Sequence, residues 1–590
     1  MKLNTIEHKT QLCIVGGGIG GMFAAISAAR HGAKVVLMHD RPVLGGNASS
    51  EIRMWISGAG TRVRNLQETG ILEELLLENM YRNPKRNFSI WDSLLYEMVR
   101  FEPNIELLLN CSCCDAEMDG SKVVSVTGFQ LTTYTWHTVK ADIFMDCSGD
   151  SILAPLTGAE FRVGREAQAE FGEEFGLPEA DRKTMGMSLL IQARETDHPV
   201  KFTPPAWAYT FKTDEEMHNK PHNIYAINTN FYWVELGGEQ DSIADTEEIR
   251  DELLKIAFGA WDHIKNWGDH GAENWELEWV GFLPGKRESR RYVGDYILKQ
   301  QDVEGHPVFP DTVAYGGWPM DEHTAAGFRA KGEIPSVVRS FKGLYSIPYG
   351  CYCSRTIDNL MMAGRDISAS KLAMGSTRVM GTCAVGGEAV GVAAANAALL
   401  GLTPAQYGRA HMHELQQKLL ACDLYVMGQK NEDPNDLALR ASVSASSEQP
   451  GFEAKNVISG VTRREGEQSN LWRSAALGEG GETLTLTLAE PAPVHEVRLV
   501  FDPDLSEERC ISVSKAFIMK EPRGVAQMLV RDYRVELLRA GETVAVQTVT
   551  ANHQRRNAVS FDGTLCDSVR VHVLATNGCE EARIYEIRVY

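Results

Sequence analysis

With 590 residues, 43% hydrophobic and 23% charged, the chain has the composition of a globular protein of about three or four domains. A net charge of −20 argues against a nucleic-acid partner, which needs a basic surface, and against an anionic membrane. The opening MKLNTIEHKTQ has no apolar run, and no stretch reads as a membrane span, so a cytoplasmic protein is expected.

The first elements are a strand, LCIV, a glycine-rich turn, a helix, MFAAISAARHG, and a second strand, AKVVLM. The turn satisfies GxGxxG at Gly16, Gly18 and Gly21, with Gly20 between them. This strand–turn–helix–strand frame is what a dinucleotide pyrophosphate needs. Glycines let the backbone come close, and the helix start offers free N–H groups and a positive dipole end. The second strand should end on an acid for a ribose hydroxyl, but that position holds His39, with Asp40 and Arg41 next. His39 is expected to bond the ribose, or Asp40 to reach it. A second glycine pair, Gly45-Gly46, then lets the chain pass an extended ligand, with Asn47 and Ser49 following.

Residues 60–110 read as mainly helical, an insertion in the nucleotide-binding domain, and 122–140 as a β-meander. The triplet Cys111, Cys113 and Cys114 has no second ligand pair nearby. Ordinary strand cysteines are expected there, and no metal site. At 141–166, ADIFMDCSGDSILAPLTGAEFRVGRE is an apolar strand ending in the turn Ser148-Gly149-Asp150. At 283–298, LPGKRESRRYVGDYIL is a basic knot in an acidic protein. At 359–398, NLMMAGRDISASKLAMGSTRVMGTCAVGGEAVGVAAANAA is a strand, a turn at Gly364-Arg365-Asp366 and a small-residue helix starting near Gly381, Thr382 and Cys383.

Taken together with DRPVLGGNASSE at 40–51, these segments resemble the FAD-dependent oxidoreductases of the glutathione-reductase-like superfamily. More narrowly they resemble the bacterial family carrying DRPxLGGNASSE. The resemblance implies a Rossmann-like FAD-binding domain in two parts, 1–165 and 351–427, with an inserted α+β substrate-capping domain at 166–350. It implies FAD on Gly16, Gly18, Gly20, Gly21, His39, Asp40, Arg41, Gly45, Gly46, Asn47, Ser49, Ser148, Gly149, Asp150, Gly364, Arg365, Asp366, Arg378, Thr382 and Cys383. The small-residue helix would aim its positive end at the flavin C2 carbonyl.

The segment 166–350 is dense in tryptophan, and Trp207, Trp233, Trp318 and the set at 261–279 are candidates to line a sugar or aromatic site. A polar linker, GQKNEDPND, leads to 437–590, where short alternating strands read as an all-β sandwich. VSASSE, Trp472 and ARIYEIRVY give it the look of a discoidin (F5/8 type C-like) jelly roll.

A flavin that takes a hydride at N5 needs a base for the departing proton. His323 is the first candidate and His306 the second, with Asp321 or Glu322 as an orienting acid. Arg287, Arg290 and Arg291 are candidates to hold a carboxylate or polar oxygens or to stabilise reduced flavin, and Arg53 and Arg378 to face the flavin or the substrate. No GxSxG elbow and no second well-framed GxGxxG occur. The expected activity is oxidation of a hydroxyl carbon of a small polar substrate, a sugar or glycoside by preference. The alternatives are a flavin enzyme acting on a small acid or amine, a monooxygenase, or a carbohydrate-binding protein with a low-activity flavin fold. An oligomer is compatible with all of these.

Overall fold

The computed structural model describes residues 3–61, 65–218, 220–222, 233–512 and 522–590. Two compact units emerge. One is built chiefly from Met1–Ala59 and Arg86–Met412, the other from Gly60–Lys85, His413–Arg509 and Pro522–Tyr590.

The first unit is centred on a mixed sheet. Strand β1 (Asn4–Val15) is followed by helix α1 (Ile19–Arg30) and β2 (Val35–Met38). Two helices come next, α2 (Ile71–Arg82) and α3 (Phe88–Arg100), then β3 (Ile105–Leu108) and the strands β4 (Cys111–Asp119), β5 (Lys122–Gln130) and β6 (Thr135–Asp146). The order is β3-β2-β1-β6-β5-β4. The four strands from β3 to β6 in that order are parallel, and β6, β5 and β4 form the antiparallel meander. The buried end of β1, LCIV, lies between β2 and β6. It reads as a continuous apolar run because both sheet faces are covered there.

A capping region follows. Its strands β7 (Ile191–Glu195) and β8 (Trp275–Val280) pair antiparallel, and between them runs the long helix α4 (Thr246–Asn266). Further ladders join β9 (Thr312–Gly316) to β12 (Tyr345–Pro348), and β10 (Met320–His323) to β11 (Ser336–Arg339). The chain then returns to the main sheet through β13 (Leu360–Met362), which lies parallel to the end of β6. Helices α5 (Lys371–Thr377), α6 (Met380–Leu400) and α7 (Pro404–Ala421) follow.

Helix α6 is unusually small-sided, and the structure shows why. A Cβ at Gly387 would stand 2.2 Å from the Gly20 carbonyl oxygen, and one at Gly391 2.3 Å from that of Ala24. Each helical glycine costs about 1 kcal/mol relative to alanine. Here that cost allows α6 to lie directly on α1, whose Met22, Phe23 and Ile26 are fully buried and contribute on the order of 1.5–3 kcal/mol each. The expectation that no stretch reads as a membrane span needs correcting. By length and composition Met380–Leu400 is apolar enough to cross a membrane, with a mean hydropathy of 1.5, yet 78% of that window is buried inside the protein.

The second unit is antiparallel β. Its strands are β14 (Ser442–Ala445), β15 (Trp472–Ala476), β16 (Glu482–Phe501), β17 (Val530–Arg539), β18 (Glu542–Val549), β19 (Arg556–Thr576) and β20 (Glu581–Val589). They follow the order β15-β20-β16-β19-β17-β18, with β14 on β16. The alternating residues Leu484, Leu486, Val569, Val571 and Val573 build its core around Trp472. This unit takes more than residues 437–590. Leu77 and Met80 of α2 belong to its core, and Asp423 accepts two hydrogen bonds from buried Arg555. The helical stretch expected as one insertion is therefore divided, α2 going to this unit and α3 to the other. An amphipathic pattern says that a helix buries a face, not which core receives it.

Candidate functional site

The turn after β1 admits only glycine at two points. Gly16 has φ +109°, and a Cβ there would stand 2.3 Å from the Cys147 carbonyl oxygen; one at Gly21 would stand 1.9 Å from that of Gly16. The turn delivers the chain to the start of α1, where the N-cap Gly18 supplies no side-chain cap. The segment at Gly45-Gly46 is strapped alongside, Gly45 donating its N–H to the Gly17 carbonyl at 2.8 Å.

His39, which the sequence reading set beside Asp40 as a candidate for the ribose, turns its ring inward. It is 3% exposed, its Nδ1 accepts the Gly17 N–H at 3.0 Å, and its Nε2 donates to the Val43 carbonyl at 2.9 Å. Both ring nitrogens are thus engaged in bracing the glycine turn. Burial lowers its pKa to about 4, so the ring is neutral and can accept at Nδ1. Asp40, 3.3 Å from that nitrogen and largely exposed, is the acid left free at the strand end. Arg41 lies 3.7 Å from the Glu51 carboxylate. Asn47 and Ser49 also hold the chain itself: Asn47 donates to the Lys286 carbonyl at 3.0 Å, and Ser49 to that of Gly46 at 2.7 Å.

The end of β6 brings the third segment in. Asp146 is fully buried and accepts from the Ser148 and Leu153 N–H groups and from the Tyr292 hydroxyl, at 2.9, 2.8 and 2.7 Å. It shapes the turn Ser148-Gly149-Asp150, where the Ser148 hydroxyl in turn accepts the Ile152 N–H. Asp150 receives Lys286 at 2.7 Å and Arg365 and Ser289 at 2.8 Å each. Burial alone would raise the Asp150 carboxyl, but Arg365 and Lys286 hold it below the usual range.

Gly364, with φ +115°, closes the site from β13; its Cα stands 3.2 Å from where a Cβ on Gly20 would be. Asp366 is fully buried. One of its oxygens accepts the Ser151 hydroxyl at 3.1 Å and the other has no partner. Burial and the neighbouring Asp146 push its carboxyl well above the usual range. Arg365 Nε and Thr382 Oγ1 are likewise buried and unpartnered. Helix α6 starts at Met380 with no side-chain cap and no acid in its first turn. Unused donors and acceptors around a glycine-lined approach fit FAD, a ligand with a pyrophosphate, a ribityl chain and a polar ring edge. Cys383 contributes no nucleophile, since burial pushes its thiol up to about 12 and its sulfur turns to the Arg378 carbonyl at 3.4 Å.

Of the catalytic candidates, the structure gathers His323 and Arg287. His323 Nδ1 lies 2.8 Å from Glu235 Oε2, and its Nε2 lies 3.3 Å from Asp321 Oδ2. Arg287 lies 3.3 Å from the same Glu235 oxygen, and Arg378 donates to Asp321 at 3.2 Å. Burial would raise the Asp321 carboxyl, but His323, Arg378 and Arg287 around it hold it well below the usual range. Arg378 is therefore placed with the substrate-side candidates.

Arg291 is a correction. At 1% exposed it donates to Ala369 and Gly164 carbonyls and to Glu288 and Glu166, while Lys371 also pairs with Glu288. This buried network leaves it no reach to a substrate. His306 bonds the Leu344 carbonyl at 2.8 Å and shares no contact with the Glu235 group. Arg53 is held between the rings of Phe88 and Trp279, at 4.7 and 4.3 Å.

Three of the seven candidate tryptophans are core. Trp233, Trp261 and Trp275 are buried with Ile249 and Leu253 under α4. Trp207 is half exposed against Phe258. Sequence reasoning missed Glu235, Asp146 and Tyr292. Nothing local marks Glu235, whereas Asp146 could have been noticed as an acid closing an apolar strand.

Residues 11–419 match the family model described as FAD dependent oxidoreductase. No curated protein matches the chain. Solved structures similar to part of it include a lectin domain of lectinolysin complexed with Lewis B antigen, at 18% identity over 26% of this chain and 96% of that one, with a TM-score of 0.20. A Streptococcus pneumoniae fucose binding module is 12% identical over 28% and 99%, with a TM-score of 0.21. The family 32 module of C. perfringens NanJ in complex with galactose is 17% identical over 26% and 96%, with a TM-score of 0.19.

Proposed function

Since the chain belongs to the FAD dependent oxidoreductase family, we propose that it oxidises a hydroxyl-bearing carbon of a small polar substrate, with sugars and glycosides the first class to try. The observation that carries the substrate class is the buried group of Glu235, His323, Asp321, Arg378 and Arg287. Three of its atoms, Glu235 Oε1, Asp321 Oδ1 and Arg378 Nε, are buried with no partner. Each such atom costs about 1–3 kcal/mol if left unsatisfied, so a ligand with several hydroxyls gains by completing them.

When bound, the flavin supplies the hydride acceptor. The protein's part is to hold the substrate and move the proton. Glu235 orients His323 through Nδ1, leaving Nε2 to take the hydroxyl proton as the substrate displaces Asp321 from it. Arg287 and Arg378 hold the substrate's remaining oxygens.

The test is an absorbance spectrum of the purified protein, then anaerobic titration with a panel of sugars, glycosides, small hydroxy acids and amines. Bleaching of the flavin bands by a sugar class supports the proposal. Bleaching by an amine only, or by NAD(P)H alone, replaces it with one of the other flavin reactions.

A further inference from the structure

Away from the flavin site, at the far end of α4, three histidines and an aspartate face one another. His263 Nε2 lies 3.2 Å from Asp214 Oδ1, His222 Nε2 3.3 Å and His270 Nε2 3.9 Å. All four ligand atoms lie within 4.8 Å of one another. His263 is fully buried and His222 and His270 nearly so, while Asp214 is exposed. The three rings stand 4.6 to 4.9 Å apart by their centres.

The outer hydrogen bonds say what the inner nitrogens are for. His263 Nδ1 lies 2.9 Å from the Phe211 carbonyl and His222 Nδ1 2.6 Å from that of Lys220. A carbonyl can only accept, so both rings carry a proton on Nδ1 and turn Nε2 toward Asp214. The His270 Nε2 is buried with no hydrogen-bond partner at all. With these two rings neutral, the Nε2 lone pairs of His222 and His263 face a carboxylate's lone pairs, an arrangement that a cation among them resolves.

We propose that Asp214, His222, His263 and His270 bind a divalent transition-metal ion of the zinc class, as a closed four-ligand site that fastens Asp214, His222 and the 268–275 segment to the end of α4. Metal–ligand bonds of about 2.0–2.2 Å in a tetrahedron set ligand atoms about 3.3–3.6 Å apart, and the separations of His263 and His222 from Asp214, 3.2 and 3.3 Å, are close to this. His270, 3.9 Å from Asp214, and the wider separations within the 4.8 Å span draw in when the ion binds. Histidines that donate their other nitrogen to a backbone carbonyl are the usual outer support of such a site. Three imidazoles and a carboxylate suit zinc better than magnesium or calcium, which prefer oxygen ligands. With four protein ligands no position stays open, so the role is structural. The expectation of no metal site rested on cysteine spacing and did not consider these histidines, which are brought together only by folding.

The experiment uses the full-length protein as purified. Metal analysis is expected to find roughly one zinc per chain. After chelation, Co2+ titration should give the visible bands of a tetrahedral site, and Zn2+ should displace them and raise the melting temperature. His270→Ala and the exposed Asp214→Ala should each lower zinc affinity by more than the roughly 10–100-fold of losing an outer-shell partner, with flavin content unchanged. Absence of stoichiometric zinc together with no tetrahedral Co2+ spectrum in the unaltered protein would overturn the proposal. So would full zinc binding in a His222→Ala/His270→Ala double variant that retains its flavin.

Discussion

A single oxygen of Glu235 lies 2.8 Å from His323 Nδ1 and 3.3 Å from Arg287, so one buried carboxylate sets the position of an imidazole and of a cation beside it. If His323 takes the substrate proton, His323→Gln should slow anaerobic flavin reduction by about 10²–10⁴-fold, while flavin content stays unchanged. Glu235→Gln should slow the same step less and shift its pH profile, because the base remains but loses its charged support. A stopped-flow comparison of the two variants across pH decides this.

Asp366 offers a buried oxygen with no protein partner on the glycine-lined approach. Asp366→Ala should weaken FAD binding by about 10–100-fold, the loss of one strong hydrogen bond, with the fold intact. Gly16→Ala is expected to lose flavin altogether, since its Cβ would lie 2.3 Å from a backbone oxygen at φ +109°. Flavin per chain and reconstitution titrations read both outcomes.

His39 carries a pH dependence of known sign. Its pKa falls from about 6.5 unfolded to about 4 in the folded chain, so between those values the unfolded chain binds the extra proton. The contribution is present above pH 6.5 and is lost as the pH falls toward 4, an effect of at most about 3 kcal/mol. Denaturation midpoints from pH 4 to 7 should fall more steeply in the unaltered protein than in His39→Asn.

In the β unit, buried Arg555 donates to both oxygens of Asp423, at 2.6 and 3.2 Å, and to two carbonyls. Arg555→Met should destabilise this unit by about 3–5 kcal/mol, because it strands a buried carboxylate. The double variant with Asp423→Leu should recover part of that loss. Urea melts followed by far-ultraviolet dichroism measure the coupling.

The sequence by itself determined what local spacing and backbone conformation can encode. The GxGxxG turn in its strand–helix frame, the return turns ending at Asp150 and Asp366, the small-residue helix and the alternating strands after 437 all lie in short stretches whose residue types admit few other structures. Tertiary structure alone decided the rest. It turned His39 inward to brace a turn, used Arg291 up in a buried network, placed Trp233, Trp261 and Trp275 in a core, and sent α2 to the β unit. It also joined Glu235 to His323 across 88 residues, and His222 to His263 and His270. A side chain's partners in these cases lie far along the chain. Whether a histidine or arginine serves a ligand or the fold depends on which groups are left unsatisfied once the core has closed.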